Sequence, residues 1–234
     1  TMNLCVIPAR GGSKRIKHKN IKIFNGKPII AYSIEAALKS KCFSKVIVST
    51  DDNEIAEVAE KFGAQVPFVR PSSLSNDFAG TIPVIKHAIN WMEDNNNKFD
   101  NVCCLYATAP FIRSDIISKA YEQLLKSKKD YCFSVTSYAF PIQRAIKISH
   151  DNKINMFYPE YSNKRSQDLD EAFHDAGQFY WGRLKAFKDE LPIFSEASSP
   201  FILPRHLVQD IDTMEDWIRA EIMFKVLLET EGIV

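Results

Sequence analysis

The chain has 234 residues, 45% of them hydrophobic and 25% charged, with a formal net charge of +1. That is enough apolar material for one substantial core, and the neutral balance excludes binding to nucleic acid or membrane through a global field. The charge is unevenly placed, however: Arg10, Lys14, Arg15, Lys17, Lys19, Lys22 and Lys27 fall in one stretch with no acid among them. A local basic site on a neutral chain points to an anionic small ligand. The basic stretch is not interleaved with aromatic stacking platforms, which argues against RNA as that ligand. The cysteines are five and scattered, with no CxxC or Cys/His spacing. Buried, reduced thiols in a cytoplasmic protein are therefore expected, not zinc or disulfides. The apolar run Leu4–Ile7 is too short for a signal peptide or membrane span, and Thr1 ahead of Met2 reads as a remnant of expression.

In chain order, Leu4-Cys-Val-Ile7 is a continuous apolar run of the kind found in strands buried on both faces. Residues 8–20 form a loop rich in Gly and Lys. Gly26 and Pro28 open a helix whose buried stripe takes in Ile30, Ile34, Ala37 and Leu38. Val46–Val48 is a second buried strand. Asp52 caps the next helix, which carries Ile55, Ala56, Ala59 and Phe62 on its apolar face and ends before Gly63. A short strand is predicted at Val66–Val69, a helix over 82–94, a strand at Val102–Tyr106, a helix over 114–127 and a strand at Tyr131–Val135. This βαβαβ order predicts an α/β fold with a mainly parallel sheet and helices on both faces. Residues 138–178 break the pattern with short alternating segments and read as a protruding arm or small β-rich lobe. Phe179–Trp181 returns to the sheet, and 213–229 is a terminal helix with Trp217, Ala220, Phe224 and Leu228 on one face. With no repeat or linker, residues 1–234 read as a single domain with 138–178 inserted.

Two segments carry chemistry. Ile7-Pro-Ala-Arg-Gly-Gly-Ser-Lys-Arg-Ile-Lys-His-Lys-Asn20 directly follows the first strand, at the carboxyl edge where open α/β sheets bind ligands. Its glycines let the backbone approach a ligand closely, and Arg10, Lys14 and Lys19 can neutralise a triphosphate. The string is neither G-x-x-x-x-G-K-[ST] nor G-x-G-x-x-G. The second segment is Asp210-Ile-Asp212-Thr-Met-Glu-Asp216. Alternation in an extended backbone puts Asp210 and Asp212 on one face, where two hard oxygens suit Mg2+. A capping box at the start of the last helix explains Asp212 or Thr213 equally, but not Asp210.

The string P-A-R-G-G-S-K-R followed by K-N resembles the N-terminal signature of the CMP-sialic acid synthetase family, and the resemblance extends over essentially the whole chain. It implies a Rossmann-like nucleotidyltransferase fold, dimers formed through an extended arm, the use of CTP and Mg2+, and release of pyrophosphate. Carried over by position, Arg10, Gly11, Gly12, Ser13, Lys14, Lys19 and Asn20 are implied as nucleotide contacts. Arg70-Pro-Ser-Ser-Leu-Ser-Asn-Asp77 is similar to the family's second loop, which brings Arg70 to the nucleotide and Thr81 to a phosphate at a helix N-terminus; Asp77 has either a functional or a loop-structural role. Relatives carry D-x-D-T as a metal pair at Asp210 and Asp212. Lys14, Lys19, Asp210 and Asp212 are thus the implied catalytic residues. Asp210 as metal ligand and Asp210 as general base remain alternatives.

Sialate-activating relatives show Q-P-T-S-P where this chain has Tyr106-Ala-Thr-Ala-Pro110, keeping only Thr108 and Pro110. The change of Gln to Tyr106 implies a different nonulosonate. Arg165-Ser-Gln-Asp-Leu with His174-Asp-Ala-Gly-Gln-Phe-Tyr-Trp-Gly182 looks like the members that activate pseudaminic acid. The implied sugar contacts are Tyr106, Thr108, Arg144 (where relatives carry Lys), Arg165 for the sugar carboxylate, His174 and Gln178. The expected partners are therefore CTP and an acidic nine-carbon sugar, with a second copy of the chain across the arm. N-acetylneuraminate, legionaminate and ketodeoxyoctonate stay open as acceptors.

Overall fold

The computed structural model describes residues 2–76 and 80–232. Strand β1 (Asn3–Pro8) leads into the basic loop, then into a small antiparallel hairpin of β2 (Ile23–Phe24) and β3 (Lys27–Pro28). Its turn is Asn25-Gly26, at φ of 43° and 98°, the left-handed pair of a type I′ turn. Helix α1 (Ile29–Ser40), β4 (Lys45–Ser49), α2 (Asn53–Lys61), α3 (Thr81–Asp94), β5 (Asn101–Leu105), α4 (Ser114–Ser127) and β6 (Tyr131–Ser137) follow. Beyond β6 lies an exposed hairpin of β7 (Ile146–Ile148) and β8 (Ile154–Met156). Then come β9 (Phe173–Arg183), the short α5 (Leu184–Lys188), β10 (Ser198–Ile202) and the long α6 (Met214–Glu231).

Six strands form one sheet in the order β10-β6-β9-β5-β1-β4. Every neighbour pair is parallel except those of β9, which runs antiparallel to β5 and β6. The fold is α/β with a mainly parallel sheet, as the element order predicts. Side-chain alternation along β1 divides the core: Cys5 and Ile7 pack with residues of α1, α2 and α4, while Leu4 and Val6 pack with α3 and α5. A third apolar cluster lies off the sheet. It joins Ile16 of the basic loop, Phe24, Ile29, Phe111, Ile211 and the inner face of α6.

Several expectations are corrected. Val66–Val69 is not a strand; it touches the sheet only through isolated bridges at Gln65 and Val69, because Pro67 has no N–H for a ladder and Val69 is 71% exposed. Pro28 ends the hairpin, so α1 starts at Ile29, and Leu38 is exposed. The buried face of α6 ends in Leu227, with Leu228 only partly covered. His174–Gln178 belong to the sheet, since β9 begins at Phe173. Edge strand β10, interrupted by Pro200, and α5 have no counterpart in the sequence reading.

Gly182 on β9 has no room for a side chain. A Cβ there would stand 2.6 Å from Phe187 Cε2 and 2.7 Å from Tyr131 Cδ1, both on fully buried rings. Gly182→Ala should destabilise the protein by about 1–3 kcal/mol through overpacking. The check is the denaturant midpoint at unchanged m-value, and an unmoved midpoint would show that the rings yield.

Candidate active site

The basic loop leaves the carboxyl end of β1 and is held by its own backbone chemistry. Gly11 N–H donates to Asp51 Oδ1 (2.9 Å), and Asn20 Nδ2 donates to the Arg10 carbonyl (2.9 Å). Gly11 is required sterically, since a Cβ would sit 2.7 Å from Asp52 Oδ2 and 2.9 Å from Asp52 Cβ. Asp52 cannot withdraw cheaply, because its Oδ1 caps α2 by accepting from Ile55 N–H.

Next to this loop lies a cleft of ≈ 240 Å³. Arg10, Ser13, Lys19, Asn20, Arg70, Thr81, Tyr106 and Thr108 all line it, together with Pro8, Gly80 and Val84. Eight of the sequence-predicted ligand residues are thus brought to one place. Gly11, Gly12 and Lys14 belong to the same loop but do not line the cleft. Asp77 lies outside the described residues. Thr81 stands at the first turn of α3, whose cap Gly80 offers no side-chain acceptor, so this N-terminus faces the cleft with its backbone donors.

Arg70 is 4% exposed, and much of its donor capacity is already used. Its Nε donates to Ser49 Oγ (3.1 Å), and its terminal nitrogens donate to the Ser49 and Leu74 carbonyls (2.7 and 3.2 Å). Burial pulls this guanidinium below its usual range, with Asp51 partly offsetting the effect. Arg70 is therefore first a brace between the end of β4 and the next loop.

Lys19 joins the cleft to the acidic pair. It lines the cleft, and its Nζ is 3.9 Å from Asp212 Oδ1, to which Arg15 also pairs at 3.2 Å. Burial lowers the Lys19 ammonium, and the charges of Asp212 and Asp210 pull it back. Burial raises Asp210, followed by a hydrogen bond to Asp212 and the charge of that neighbour, while Lys19 opposes the shift. The Asp212 and Thr213 N–H groups both donate to Asp216 Oδ2, and Thr213 Oγ1 accepts from Asp216 N–H, a complete capping box. This box occupies the Asp212 backbone and leaves its carboxylate turned towards Arg15 and Lys19. Residues 208–212 form no strand, so the pair is fixed by the cap and not by sheet alternation.

Among the described residues no group of three or more His, Cys, Asp or Glu is arranged to hold a metal. The two hard carboxylates of Asp210 and Asp212 nevertheless form a donor set suited to a hard cation, which takes its other ligands from water and phosphate.

A second cavity, ≈ 530 Å³, opens beside β9. His174 and Asp175 line it with Phe133, Tyr138, Ile193 and Phe194. The His174 Nδ1–H donates to the Asp175 carbonyl (2.9 Å), and its ring meets Tyr138 edge-on at 4.9 Å. Of the expected sugar contacts only His174 lines this cavity; Tyr106 and Thr108 line the first cleft, and the other three line neither. Gln178 is buried, faces neither cavity, and donates from Nε2 to the Leu207 carbonyl (2.7 Å), bracing the segment that leads to Asp210. Arg144 and Arg165 are exposed on the protruding segment and line neither cavity; Arg165 pairs with Asp168 at 2.8 Å. Sequence reasoning missed Asp51, Asp175, Tyr180, Ile193 and Phe194. Asp175 and Tyr180 lie inside the His174–Gly182 motif and could have been singled out there, whereas nothing local marks Ile193 or Phe194.

Residues 4–228 match the family model described as cytidylyltransferase. The chain belongs to the cytidylyltransferase family, whose members are nucleotidyltransferase enzymes. More narrowly, it is 50% identical over 224 residues to the pseudaminic acid cytidylyltransferase of Campylobacter jejuni subsp. jejuni, covering 96% of this chain and 97% of that one. It is 33% identical to the CMP-N,N'-diacetyllegionaminic acid synthase of Legionella pneumophila subsp. pneumophila, covering 99% of each. A solved CMP:2-keto-3-deoxy-manno-octonic acid synthetase complexed with CTP shares the fold, with a TM-score of 0.71 over 97% of this chain and 99% of that chain, at 17% identity. Among the described residues no helix is long and apolar enough to cross a membrane.

The Asp210 shift has a consequence for stability. Its folded value is raised, so the folded protein takes up a proton more readily than the unfolded chain. Stability is therefore lost as pH rises from the ordinary carboxylate range through the Asp210 value. In the absence of divalent ions, Asp210→Asn should melt above the parent at neutral pH and level with it in acid, where Asp210 is protonated. Melting curves across pH provide the check, and a variant less stable at neutral pH would overturn the repulsive pairing.

Proposed function

We propose that this chain transfers CMP from CTP to the anomeric hydroxyl of pseudaminic acid, giving CMP-pseudaminic acid and pyrophosphate. The observation that carries the reading is the position of Lys19, shared between a cationic cleft and a carboxylate pair. The 50% identity to a pseudaminic acid cytidylyltransferase over nearly the whole chain supports the choice of sugar.

In this reading the triphosphate occupies the cleft. Arg10 and Lys19 neutralise it inside the cleft, with Ser13 and Asn20 around it, and Lys14 reaches it from the same loop outside the cleft. The N-terminus of α3 at Thr81 donates to a phosphate. Asp210 and Asp212 are the residues that hold Mg2+, which when bound polarises the α-phosphate and balances the leaving group. The sugar occupies the cavity beside β9, where aromatic walls pack its acyl groups and His174 offers a polar contact. The C2 hydroxyl oxygen forms a bond to the α-phosphorus as the bond to the pyrophosphate oxygen breaks, and the hydroxyl proton passes to a carboxylate or water. Catalysis is then positioning and charge neutralisation, with no covalent enzyme intermediate.

The test is pyrophosphate release with CTP, MgCl2 and a panel of pseudaminic, N,N'-diacetyllegionaminic, N-acetylneuraminic and ketodeoxyoctonic acids. Pseudaminic acid should give the highest kcat/KM. Asp210→Ala should stay folded and lose at least about a hundredfold in kcat. Turnover with no sugar, or near-normal release by Asp210→Ala, overturns the reading.

The functional unit in this proposal is a cytoplasmic homodimer joined through the 138–178 segment. Phe140, Ile148, Ile154 and Phe157 are 54–83% exposed there, more apolar surface than a solvated hairpin carries. Light scattering should give twice the chain mass for the parent and a monomer for Phe140→Asp with Ile148→Asp, with turnover reduced. A monomeric, fully active parent would remove this part of the proposal.

A further inference from the structure

The two cavities are joined by a chain of hydroxyl groups. Asp175, which lines the cavity beside β9, accepts from the Tyr180 hydroxyl through Oδ2. The Tyr180 oxygen accepts from the Tyr106 hydroxyl (3.3 Å), and Tyr106 Oη is 3.4 Å from Thr81 Oγ1 in the nucleotide cleft. Asp175 Oδ1 is committed elsewhere, accepting from Gly177 N–H (2.8 Å). Tyr180 is 5% exposed and lines neither cavity. We propose that Asp175 is a positioning residue for the nucleotide: through Tyr180 and Tyr106 it sets whether the Thr81 hydroxyl donates into the cleft or away from it. This inference rests on the reading that the cleft takes a triphosphate.

Each hydroxyl donates once. With Asp175 ionised, Tyr180 donates to Asp175 and Tyr106 to Tyr180, which leaves the Tyr106 oxygen as an acceptor for the Thr81 hydroxyl (3.4 Å). A phosphate oxygen then gains the Thr81 proton only if that bond is given up. With Asp175 protonated the chain reverses: Asp175 donates to Tyr180, Tyr180 to Tyr106 and Tyr106 to Thr81. The Thr81 proton is then released towards phosphate. Nucleotide binding therefore favours the reversed chain and draws a proton onto Asp175. Burial raises this carboxyl, while Gly177 N–H and the adjacent His174 pull it down. The titratable groups around Asp175 are His174 and Tyr180 on its own strand and Cys104 and Tyr106 from β5 and its end. β6, β10 and the 193–195 loop turn only apolar or hydroxyl-bearing side chains to the cavity.

Two isosteric changes reverse the chain permanently. Asp175→Asn keeps its oxygen for Gly177 N–H and turns its NH2 to Tyr180. Tyr180→Phe removes the acceptor that Tyr106 has on the Asp175 side and leaves Thr81 as its hydroxyl partner in the structure. Both should bind CTP more tightly, whereas damage to the fold would weaken binding. The experiment is calorimetric titration of the full chain with CTP and MgCl2, in steps from about pH 8 down to the lowest pH at which the chain stays folded, the direction in which a raised carboxyl takes up its proton. At the alkaline end each variant should bind on the order of tenfold more tightly than the parent, the scale of one hydrogen bond to a charged group. At the acid end the three should converge, and the double variant should bind no more tightly than either single one. Equal affinities at every pH, weaker binding by both variants, or additive effects in the double variant overturn the relay while leaving the nucleotide site in place. If the parent binds no CTP, the reading of the cleft falls, and the relay with it. Should Asp175→Asn fail to fold, Tyr180→Phe alone decides by the sign of its effect.

Discussion

The site depends on two isoleucines more than on any ion pair. Ile16 stands between Arg15 and Lys17, Ile211 stands between Asp210 and Asp212, and both are 3% exposed in one apolar cluster with Phe24, Trp217 and Phe224. Burying each side chain contributes about 1.5–3 kcal/mol. The surface pair Arg15–Asp212 contributes at most about 1 kcal/mol, because 68% and 40% of its side chains face solvent. The cluster therefore holds the loop and the acidic segment together, and the charges face one another because their neighbours in sequence are pinned. An apolar anchor in each charged tripeptide is what makes the basic loop half of a cleft.

The electrostatics at that junction are unresolved by the protein alone. Lys19 is drawn down by burial and Asp210 is pushed up by burial and by Asp212, so each charge is held where it is less favourable than in water. Arg15 and Lys19 meet Asp212 on one side only. A polyanion among the cations and a cation on the carboxylates would relieve both strains at once. Such a site stores part of the binding free energy as unfavourable charge in the free state. This is why the acidic pair is expected to lower the stability of the free protein.

How much of this the sequence discloses depends on the range of the interaction. Leu4–Ile7 and Val46–Val48 are legible because strands buried on both faces need unbroken apolar runs. α2 is legible because Asp52 and Gly63 mark its ends. The Asn25-Gly26 turn is equally local, but the neighbouring Pro28 reads as a helix start and masks it. By contrast, the Val66–Val69 run is apolar enough for a strand and fails on one missing N–H at Pro67. Gln178 looked like a ligand residue because an amide in a polar motif suggests one, yet its partner, the Leu207 carbonyl, lies 29 residues away. The cleft residues were legible because chemistry fixes residue type locally at the strand ends. The second cavity was not, because Ile193 and Phe194 come to it only through the path of the chain between α5 and β10.

The direction of β9 is the feature that local patterning could not supply and that the architecture requires. A strand buried on both faces reads the same in either direction. β6 ends at Ser137 on the carboxyl edge of the sheet, where the protruding 138–172 segment begins, and β9 opens at Phe173, paired with Ser137 itself. The segment leaves and returns at the same edge, so the returning strand must run antiparallel. Its first residues then extend past Leu105, the end of β5, whose partner is already Phe179. That overhang carries His174 and Asp175 to the edge where Tyr106 emerges from β5. A parallel β9 would end there instead and would start its chain at the opposite side of the sheet. The reversal of one strand therefore sets the cavity beside β9 next to the cleft at the end of β1, and it accounts for an insertion that can leave and return without disturbing the sheet.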